Sequence, residues 1–206
     1  MRRWRGLAPV LVLMAAALAC SALPAGTVLF KDDFADAGGG WKYTSYSTIS
    51  DGEMRLRVTD PDTLVQTLIN QPNLSDVHVE VTARNSAAAG DELFGVVCDF
   101  RADDDSADGY FLGVDADGYY LLGRLAAGAM TTLKEGQRAP FGKAADSVRL
   151  AADCGGGQLS LSVNGQPVAV AADDAYTTGD AGLFLGSGKT LPAEAAFHDF
   201  VVTTLK

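Results

Sequence analysis

The residues with the clearest chemistry in this sequence are its three cysteines, Cys20, Cys98 and Cys154. Cys98 and Cys154 each end a series in which apolar residues alternate with others, so both side chains are expected to face the same interior. If Cys20 takes no part in a disulfide, an oxidising compartment would let Cys98 and Cys154 form one, which would close a loop of about 57 residues. Two buried free thiols are the alternative.

The segment before Cys20 is typical of an export signal. It has a basic start, an apolar run and a small-residue end, which are residues 2–5, residues 7–18 and Ala17-Leu18-Ala19-Cys20. Because this end resembles a bacterial lipoprotein signal, we predict a signal peptide over residues 1–19 and a lipid on Cys20. Cleavage after Ala19 to release a secreted protein is the alternative. The apolar run is shorter than the roughly 20 residues that span a bilayer.

The remaining chain is strongly acidic. The whole sequence has 16 basic and 26 acidic residues, and residues 1–19 carry three of the basic ones, so the processed chain has 13 − 26 = −13 formal charges. This charge argues against a nucleic-acid partner, because phosphate binding needs clustered Lys and Arg. We therefore expect membrane contact through a lipid anchor alone. Nothing in the sequence specifies an oligomer.

Catalytic motifs are scarce. The sequence has no Gly-x-Ser-x-Gly nucleophile motif. It has two histidines, His78 and His198, and each lies in an alternating strand pattern that explains it without catalysis. The small number of histidines and cysteines also argues against a structural zinc site, and we expect no cofactor.

One weak metal hypothesis concerns calcium. Asp104, Ser106, Asp108 and Asp115 follow the order of the first, third, fifth and twelfth positions of a calcium-binding loop. A solvated acidic hairpin is the alternative interpretation.

Exposed aromatic rings are the other candidate site residues, because they stack on the apolar faces of sugars. The sequence offers six tyrosines, Tyr43, Tyr46, Tyr110, Tyr119, Tyr120 and Tyr176. Of these we single out Tyr110, Tyr119 and Tyr120 as ligand-binding candidates. Tyr119 and Tyr120 are adjacent in a predicted strand, so their side chains point to opposite faces. Trp41 is expected in the core.

The elements that would position these residues are short strands, since the apolar spacing is two far more often than 3.6. Thirteen strands are predicted, and these are residues 28–34, 53–58, 64–69, 77–84, 93–100, 110–114, 119–125, 130–133, 148–154, 159–163, 167–171, 182–186 and 196–204. Turn residues separate them. The pattern predicts an all-β antiparallel sandwich in one domain over residues 28–206, after a tether over residues 20–27.

The strongest local signal is a hairpin at Asn164-Gly165, the preferred pair for a type I′ turn. This turn predicts that Val163 faces Gln166, Leu161 faces Val168 and Leu159 faces Val170. Pro167 would then lie opposite Ser162 on an edge strand. A similar turn at Asp51-Gly52 predicts that Ile49 pairs with Met54.

Five stretches in order, "LFKDDFADAGGGW", "GVVCDF", "DGYYLLGRL", "CGGGQLSLSVNGQPV" and "AAFHDFVVTTL", resemble concanavalin A-like lectin/glucanase jelly rolls, specifically the laminin-G-like and glycosidase-like modules of bacterial surface proteins. The resemblance covers about residues 28–204. It implies a two-sheet jelly roll, a fold that hosts lectins, glycanases and adhesive modules. The Glu-x-Asp-x-x-Glu strand of such glycanases is missing here.

These observations lead to one functional hypothesis and two alternatives. We expect an exported, lipid-anchored protein of the cell envelope that binds a glycan without catalysis. The first alternative is a hydrolase or lyase acting on keto-sugars, and the second is a structural module for adhesion to protein.

Overall fold

The structure is a computed structural model, and it describes residues 23–36, 38–85, 91–103, 106–138, 141 and 146–205. The leader, Cys20 and Asp104 lie outside these residues. The described residues form no helix and fifteen strands, which are β1 (Val28–Asp32), β2 (Trp41–Lys42), β3 (Ser47–Ser50), β4 (Glu53–Val58), β5 (Leu64–Ile69), β6 (Val77–Asn85), β7 (Leu93–Ala102), β8 (Ala107–Val114), β9 (Tyr119–Ala126), β10 (Ala129–Gln137), β11 (Val148–Gly155), β12 (Gln158–Val163), β13 (Gln166–Ala172), β14 (Asp180–Gly186) and β15 (Ala193–Thr204).

The strands build two antiparallel sheets. Sheet A has the order β13-β12-β11-β6-β15-β4-β3, with β1 also paired to β15. Sheet B has the order β10-β9-β8-β7-β14-β5-β2. The prediction of a two-sheet jelly roll is therefore confirmed. Within the described ranges there is no helix with the length and hydrophobicity of a membrane span.

Alternate side chains of both sheets fill the space between them, as period-two burial requires. Trp41 is buried there, as predicted, and its indole Nε1 donates a hydrogen bond of 2.8 Å to Asp32. The strands missing from the sequence analysis are β2 and β3. Both strands are short. The only sign of β3 in the sequence was the Ile49–Met54 pairing predicted for the Asp51-Gly52 turn, and the structure confirms this pairing.

The hairpin at Asn164-Gly165 also forms, but part of its predicted register is wrong. Val163 pairs with Gln166 and Ser162 with Pro167, as expected, and β13 is an edge strand. A bulge then shifts the pairing, so that Leu161 faces Ala169 and Leu159 faces Ala171. The bulge buries the consecutive residues Val168 and Ala169 and leaves Val170 exposed.

Sheet B also carries an apolar layer on its outer face, which faces away from sheet A. We call this layer the outer cluster, and its buried members are Leu68, Val97, Phe100, Phe111, Leu121 and Phe184. The rings of Phe111 and Phe184 meet edge to face, with centroids 5.7 Å apart. A Cβ at Gly123 would lie 2.2 Å from Phe111, and one at Gly113 would lie 2.5 Å from Phe184. The absence of side chains at these glycines therefore lets the rings lie against the neighbouring strands.

A disulfide joins Cys98 of sheet B to Cys154 of sheet A, with both side chains fully buried. This confirms the predicted pairing over the alternative of free thiols. The bond connects two positions 56 residues apart, so it restricts the unfolded chain strongly.

Replacing both cysteines with alanine should lower the free energy of unfolding by about 4 kcal/mol, since the unfolded chain regains the entropy of a long loop. Urea unfolding measures this change. Reductant should destabilise the parent protein and leave the double variant unaffected. Equal stability of the two proteins under oxidising conditions would contradict the prediction.

Candidate functional site

A cleft of about 300 Å³ opens at one end of the sandwich. Strands β6, β12 and β14 begin at this end, and β7, β11 and β13 end there. Polar side chains converge on the cleft from five separate segments, and these are Asp76, Asp99, Tyr110, Gln158, Asp173 and Tyr176. We call it the carboxylate cleft. Its size lies at the lower end of the range for small-molecule sites.

Asp99 is the most unusual residue of this cleft. It lies in a bulge between Cys98 and Arg101, with a positive φ of 48° that non-glycine residues seldom adopt. Its side chain is buried, with the residue only 4% exposed, and its Oδ1 has no hydrogen-bond partner among the described residues. Backbone strain combined with an unsatisfied buried acceptor is typical of functional sites.

The surroundings of Asp99 favour its protonated form. Burial raises the pKa of the Asp99 carboxyl to about 6, and the negative charge of Asp76 adds to this rise. The guanidinium of Arg101 opposes it, without cancelling it. Asp99 therefore keeps its proton to a higher pH than an ordinary aspartate does.

Asp173 forms the opposite wall of the cleft and is held in a network. It accepts a hydrogen bond of 2.6 Å from the Tyr110 hydroxyl and one of 2.7 Å from Arg124. Burial alone would raise the pKa of Asp173, but the bonds from Tyr110, the Ala175 amide and Arg124 outweigh it and lower that pKa. The cleft thus contains one carboxyl whose pKa is raised and one whose pKa is lowered.

Asp76 closes the cleft beside the turn over residues 155–157. Its Oδ1 accepts a hydrogen bond of 3.0 Å from the Gly156 amide. A Cβ at Gly155 would lie 2.5 Å from the same oxygen, so glycine is needed for this close approach. Asp76 also has a positive φ, of 49°.

The disulfide stands directly behind this site. Asp99 follows Cys98 in β7, and Gly155 follows Cys154 in β11. The covalent bond between the two cysteines therefore holds two walls of the cleft, one from each sheet, at a fixed separation.

The three tyrosines chosen from the sequence do not come together. Tyr110 is fully buried; its hydroxyl reaches Asp173 and accepts a hydrogen bond from the Tyr176 amide. These surroundings, burial first, raise the pKa of Tyr110 to about 12. Tyr120 is buried in the core. Ligand stacking on either ring would require the core to open.

Tyr119 lies on the outer face of sheet B, at the far end from the cleft, and its hydroxyl bonds Glu135. The tyrosines most open to solvent are Tyr43 and Tyr46, in the loop between β2 and β3. They are the rings best placed to stack on a ligand outside the carboxylate cleft.

The structure also separates Asp108 from Asp115, two of the three described residues of the calcium hypothesis. Asp108 lies at the start of β8 and accepts a hydrogen bond from the Ala127 amide. Asp115 lies beyond the other end of that strand and accepts a hydrogen bond from the Tyr119 amide. Ser106 bonds Asp103. No group of metal-ligating side chains in the described ranges is gathered closely enough to hold an ion. Calcium binding itself stays untested.

His78 takes part in a polar cluster on the outer face of sheet A. Its Nδ1 lies 2.6 Å from Asp153, and its Nε2 lies 3.3 Å from Glu80. Ser160 donates to the same Asp153 rather than to His78. Since a nucleophilic serine must contact the histidine, this order does not form a catalytic triad.

The sequence analysis did not identify the carboxylates of the cleft as candidate site residues. One signal was available for Asp99, an acidic residue inside the apolar series of residues 93–100. Asp76 and Asp173 give no comparable signal, because both lie next to strands in positions where turn-forming aspartates are common.

Comparison with known proteins rests on structure, since no protein-family model and no curated protein sequence matches this chain. A carbohydrate-binding module from Bacillus subtilis has a TM-score of 0.67 at 18% identity, over 80% of this chain and 96% of that one. A β-glucanase from Bacillus licheniformis has a TM-score of 0.63 at 17% identity, over 88% and 99%.

A galectin-like protein of unknown function from Bacillus subtilis has a TM-score of 0.66 at 14% identity, over 89% of this chain and 99% of that one. At such low identity these similarities establish the fold. This chain therefore shares the two-sheet jelly-roll fold of these proteins.

The Asp99 carboxyl predicts a stability that depends on pH. The folded chain binds its proton with a pKa of about 6, whereas an unfolded aspartate has a pKa of about 3.9. Unfolding therefore releases this proton between the two values, and stability falls as the pH rises through about 4 to 6.

Replacing Asp99 with asparagine, which tolerates the same backbone conformation, should stabilise the fold at pH 7.5 by about 1–2 kcal/mol and have little effect at pH 4. Chemical unfolding across this pH range measures the difference. Asp51→Asn, at an exposed turn with a φ of 56°, is the matched control and should change little. If the free energy of unfolding depended on pH in the same way in the Asp99→Asn variant and in the parent, the raised pKa of Asp99 would be contradicted.

Proposed function

We propose that this chain is an exported, lipid-anchored module of the cell envelope that binds a glycan in the carboxylate cleft without catalysis. The observation that carries this proposal is the buried Oδ1 of Asp99, which has no hydrogen-bond partner among the described residues. Leaving a buried acceptor unsatisfied costs about 1–3 kcal/mol. A ligand hydroxyl that displaces the atoms covering this oxygen would donate the missing bond.

The composition of the cleft fits a polyhydroxylated ligand. The carboxylates of Asp76, Asp99 and Asp173 accept hydrogen bonds, and Gln158 can both donate and accept. The ring of Tyr176 supplies apolar surface at the same site. A molecule rich in hydroxyl donors with some apolar faces, such as a sugar, matches these groups. The similarity to a carbohydrate-binding module agrees with this choice.

The outer face of sheet B is a poorer candidate. Its centre consists of the outer cluster, whose aliphatic and aromatic side chains offer a sugar no hydrogen bonds. Glycan specificity depends on a few well-placed polar groups, and the carboxylate cleft concentrates them.

One observation favours a second candidate function, the cleavage of a glycan. The surroundings raise the pKa of Asp99 and lower that of Asp173 within the same cleft. Two carboxyls whose pKa values are pushed apart can act as an acid and a base. The non-catalytic proposal is preferred because the paired-carboxylate strand motif of glycanases with this fold is missing from the sequence.

A glycan array probed with the processed protein tests the binding proposal. Asp99→Gly, which removes the carboxylate and accepts a positive φ, should weaken binding to an array-positive saccharide by about 10- to 100-fold, the loss expected for a bond to a charged group. Asp51→Gly removes an exposed carboxylate at a similar φ and should bind like the parent. Unchanged affinity of the Asp99→Gly variant would place the ligand elsewhere.

The same saccharides separate the alternatives. Turnover of an oligosaccharide that is lost in Asp99→Asn would identify an enzyme. An array without any binding saccharide would favour the protein-adhesion alternative and remove the glycan proposal.

The proposed anchor is tested separately at Cys20. The export signal and the buried disulfide both agree with a protein that folds in an oxidising compartment. Cys20→Ser should move the protein from the membrane fraction to the soluble fraction and abolish labelling with a radioactive fatty acid. A parent protein that is soluble and unlabelled when expressed in its host would instead support secretion.

A further inference from the structure

The segment that precedes β1 is attached to the same end of the sandwich as the carboxylate cleft. The Gly26 amide donates to the Thr204 carbonyl at 3.0 Å, and the Thr204 hydroxyl donates to the Pro24 carbonyl at 2.7 Å. The Thr204 amide also donates to the Thr27 carbonyl, and the Thr27 amide donates to the Thr204 hydroxyl, each at 3.0 Å. Residues 24–27 are therefore part of the folded domain rather than a free tether.

This attachment shortens the predicted tether. Cys20 lies only three peptide steps before Leu23, so its Cα can be at most about 11 Å from that of Leu23 at 3.8 Å per step. A free tether over residues 20–27 would have allowed about 25 Å. A lipid on Cys20 would hold this end of the sandwich against the membrane surface.

The cleft adjoins the root of this tether. Asp76 lines the cleft and also lines a neighbouring cavity that includes Leu23 and Leu205. The Leu205 amide donates to the Asp76 carbonyl at 2.7 Å. One residue thus separates the proposed ligand site from the point where the chain leaves towards its anchor.

Two apolar side chains are exposed beside this root. Leu23 and Val28 each expose 58% of their surface. Exposed apolar side chains at a membrane-facing end can enter the interfacial region of a bilayer, where Leu is favoured over water. Their position agrees with the orientation that a short tether imposes.

We propose that the carboxylate cleft binds a saccharide headgroup carried by a lipid of the same membrane in which Cys20 is anchored. This inference rests on the proposed glycan binding and on lipidation of Cys20. A cleft held close to the bilayer is hard for a bulky free polymer to reach, whereas a headgroup in the same membrane has a high effective concentration there.

The charges of the cleft narrow the class of headgroup. Asp76, Asp99 and Asp173 line the cleft, and no Lys or Arg is among its described lining residues, so the cleft disfavours a negatively charged phospholipid headgroup. A neutral or amino sugar on the lipid is compatible with them. The ligand class is therefore a neutral or cationic glycolipid headgroup.

The test uses the full lipidated chain reconstituted in phosphatidylcholine vesicles. The probe is an array-positive saccharide, used either free with a fluorescent label or coupled to dipalmitoyl phosphatidylethanolamine in vesicles. The coupled saccharide is placed either in the protein's own vesicles or in separate ones. Fluorescence anisotropy measures binding of the free probe, and light scattering measures whether separate vesicles become cross-linked.

We expect the coupled saccharide in the protein's own vesicles to raise the apparent Kd of the free probe about tenfold or more, because it occupies the cleft at high effective concentration. Separate vesicles should not cross-link. A flexible Gly-Ser insertion of about 20 residues after Ser21 spans about 25 Å. It should let the cleft reach saccharides on a second vesicle, so that separate vesicles become cross-linked. Asp99→Gly in the inserted variant should abolish this cross-linking.

The outcomes distinguish this inference from the function on which it rests. The parent chain can bind the free probe and also cross-link separate vesicles only if its cleft faces away from its own membrane. That result would overturn this inference and leave the glycan proposal standing. Vesicles with phosphatidylglycerol and no coupled saccharide should not compete, and competition by them would overturn the selectivity. Failure of every saccharide to bind would remove both proposals.

Discussion

The covalent link between Cys98 and Cys154 is the constraint on which the rest of this site depends. Two β-sheets packed face to face are held mainly by apolar contacts, which do not by themselves fix the separation of residues at the sandwich edge. The disulfide fixes it at one end, with both sulfurs buried. Asp99 and Gly155 follow the two cysteines, so the same bond determines how far apart the walls of the cleft stand.

The bulge beside this link explains why a carboxylate can face a buried cleft. In a regular strand, the residue after Cys98 would point to the outer face of sheet B, where the outer cluster lies. The bulge and the positive φ of Asp99 redirect the chain, and Phe100 takes the place in the outer cluster instead. The strained residue thereby gains a buried position in the wall of the cleft. Its unsatisfied oxygen is the physical basis for expecting a ligand that donates hydrogen bonds.

The two outer faces of the sandwich show why the ends are the better sites. Sheet B is covered by apolar side chains, and sheet A carries paired charges. For example, Arg84 bonds Glu53, and Arg149 bonds Glu80. Burial would raise the pKa of Glu80, but its interactions with Arg149 and His78 outweigh that effect and lower it. Side chains already paired with one another have little capacity left for a ligand.

Particular residues show how far the sequence could lead. The bounds of β4 and β5 follow from local alternation, and the pairing of Val163 with Gln166 follows from the Asn164-Gly165 turn. The bulge at Val168 could not be predicted from local alternation, because it depends on which adjacent apolar residues pack against the opposite sheet. Tyr110 likewise looked like a surface residue, although its hydroxyl is bonded inside the molecule to Asp173.

The sequence by itself determined the alternation of buried and exposed residues, the turns and the candidates for the disulfide, since each depends on neighbours within a few positions. The tertiary structure decided that Asp76, Asp99 and Asp173 share one cleft and that the chain leaves the domain beside it. These residues come from segments up to about 100 positions apart. Only the packing of two twisted sheets brings them together, because no local pattern encodes a distance between strands that pair with other partners.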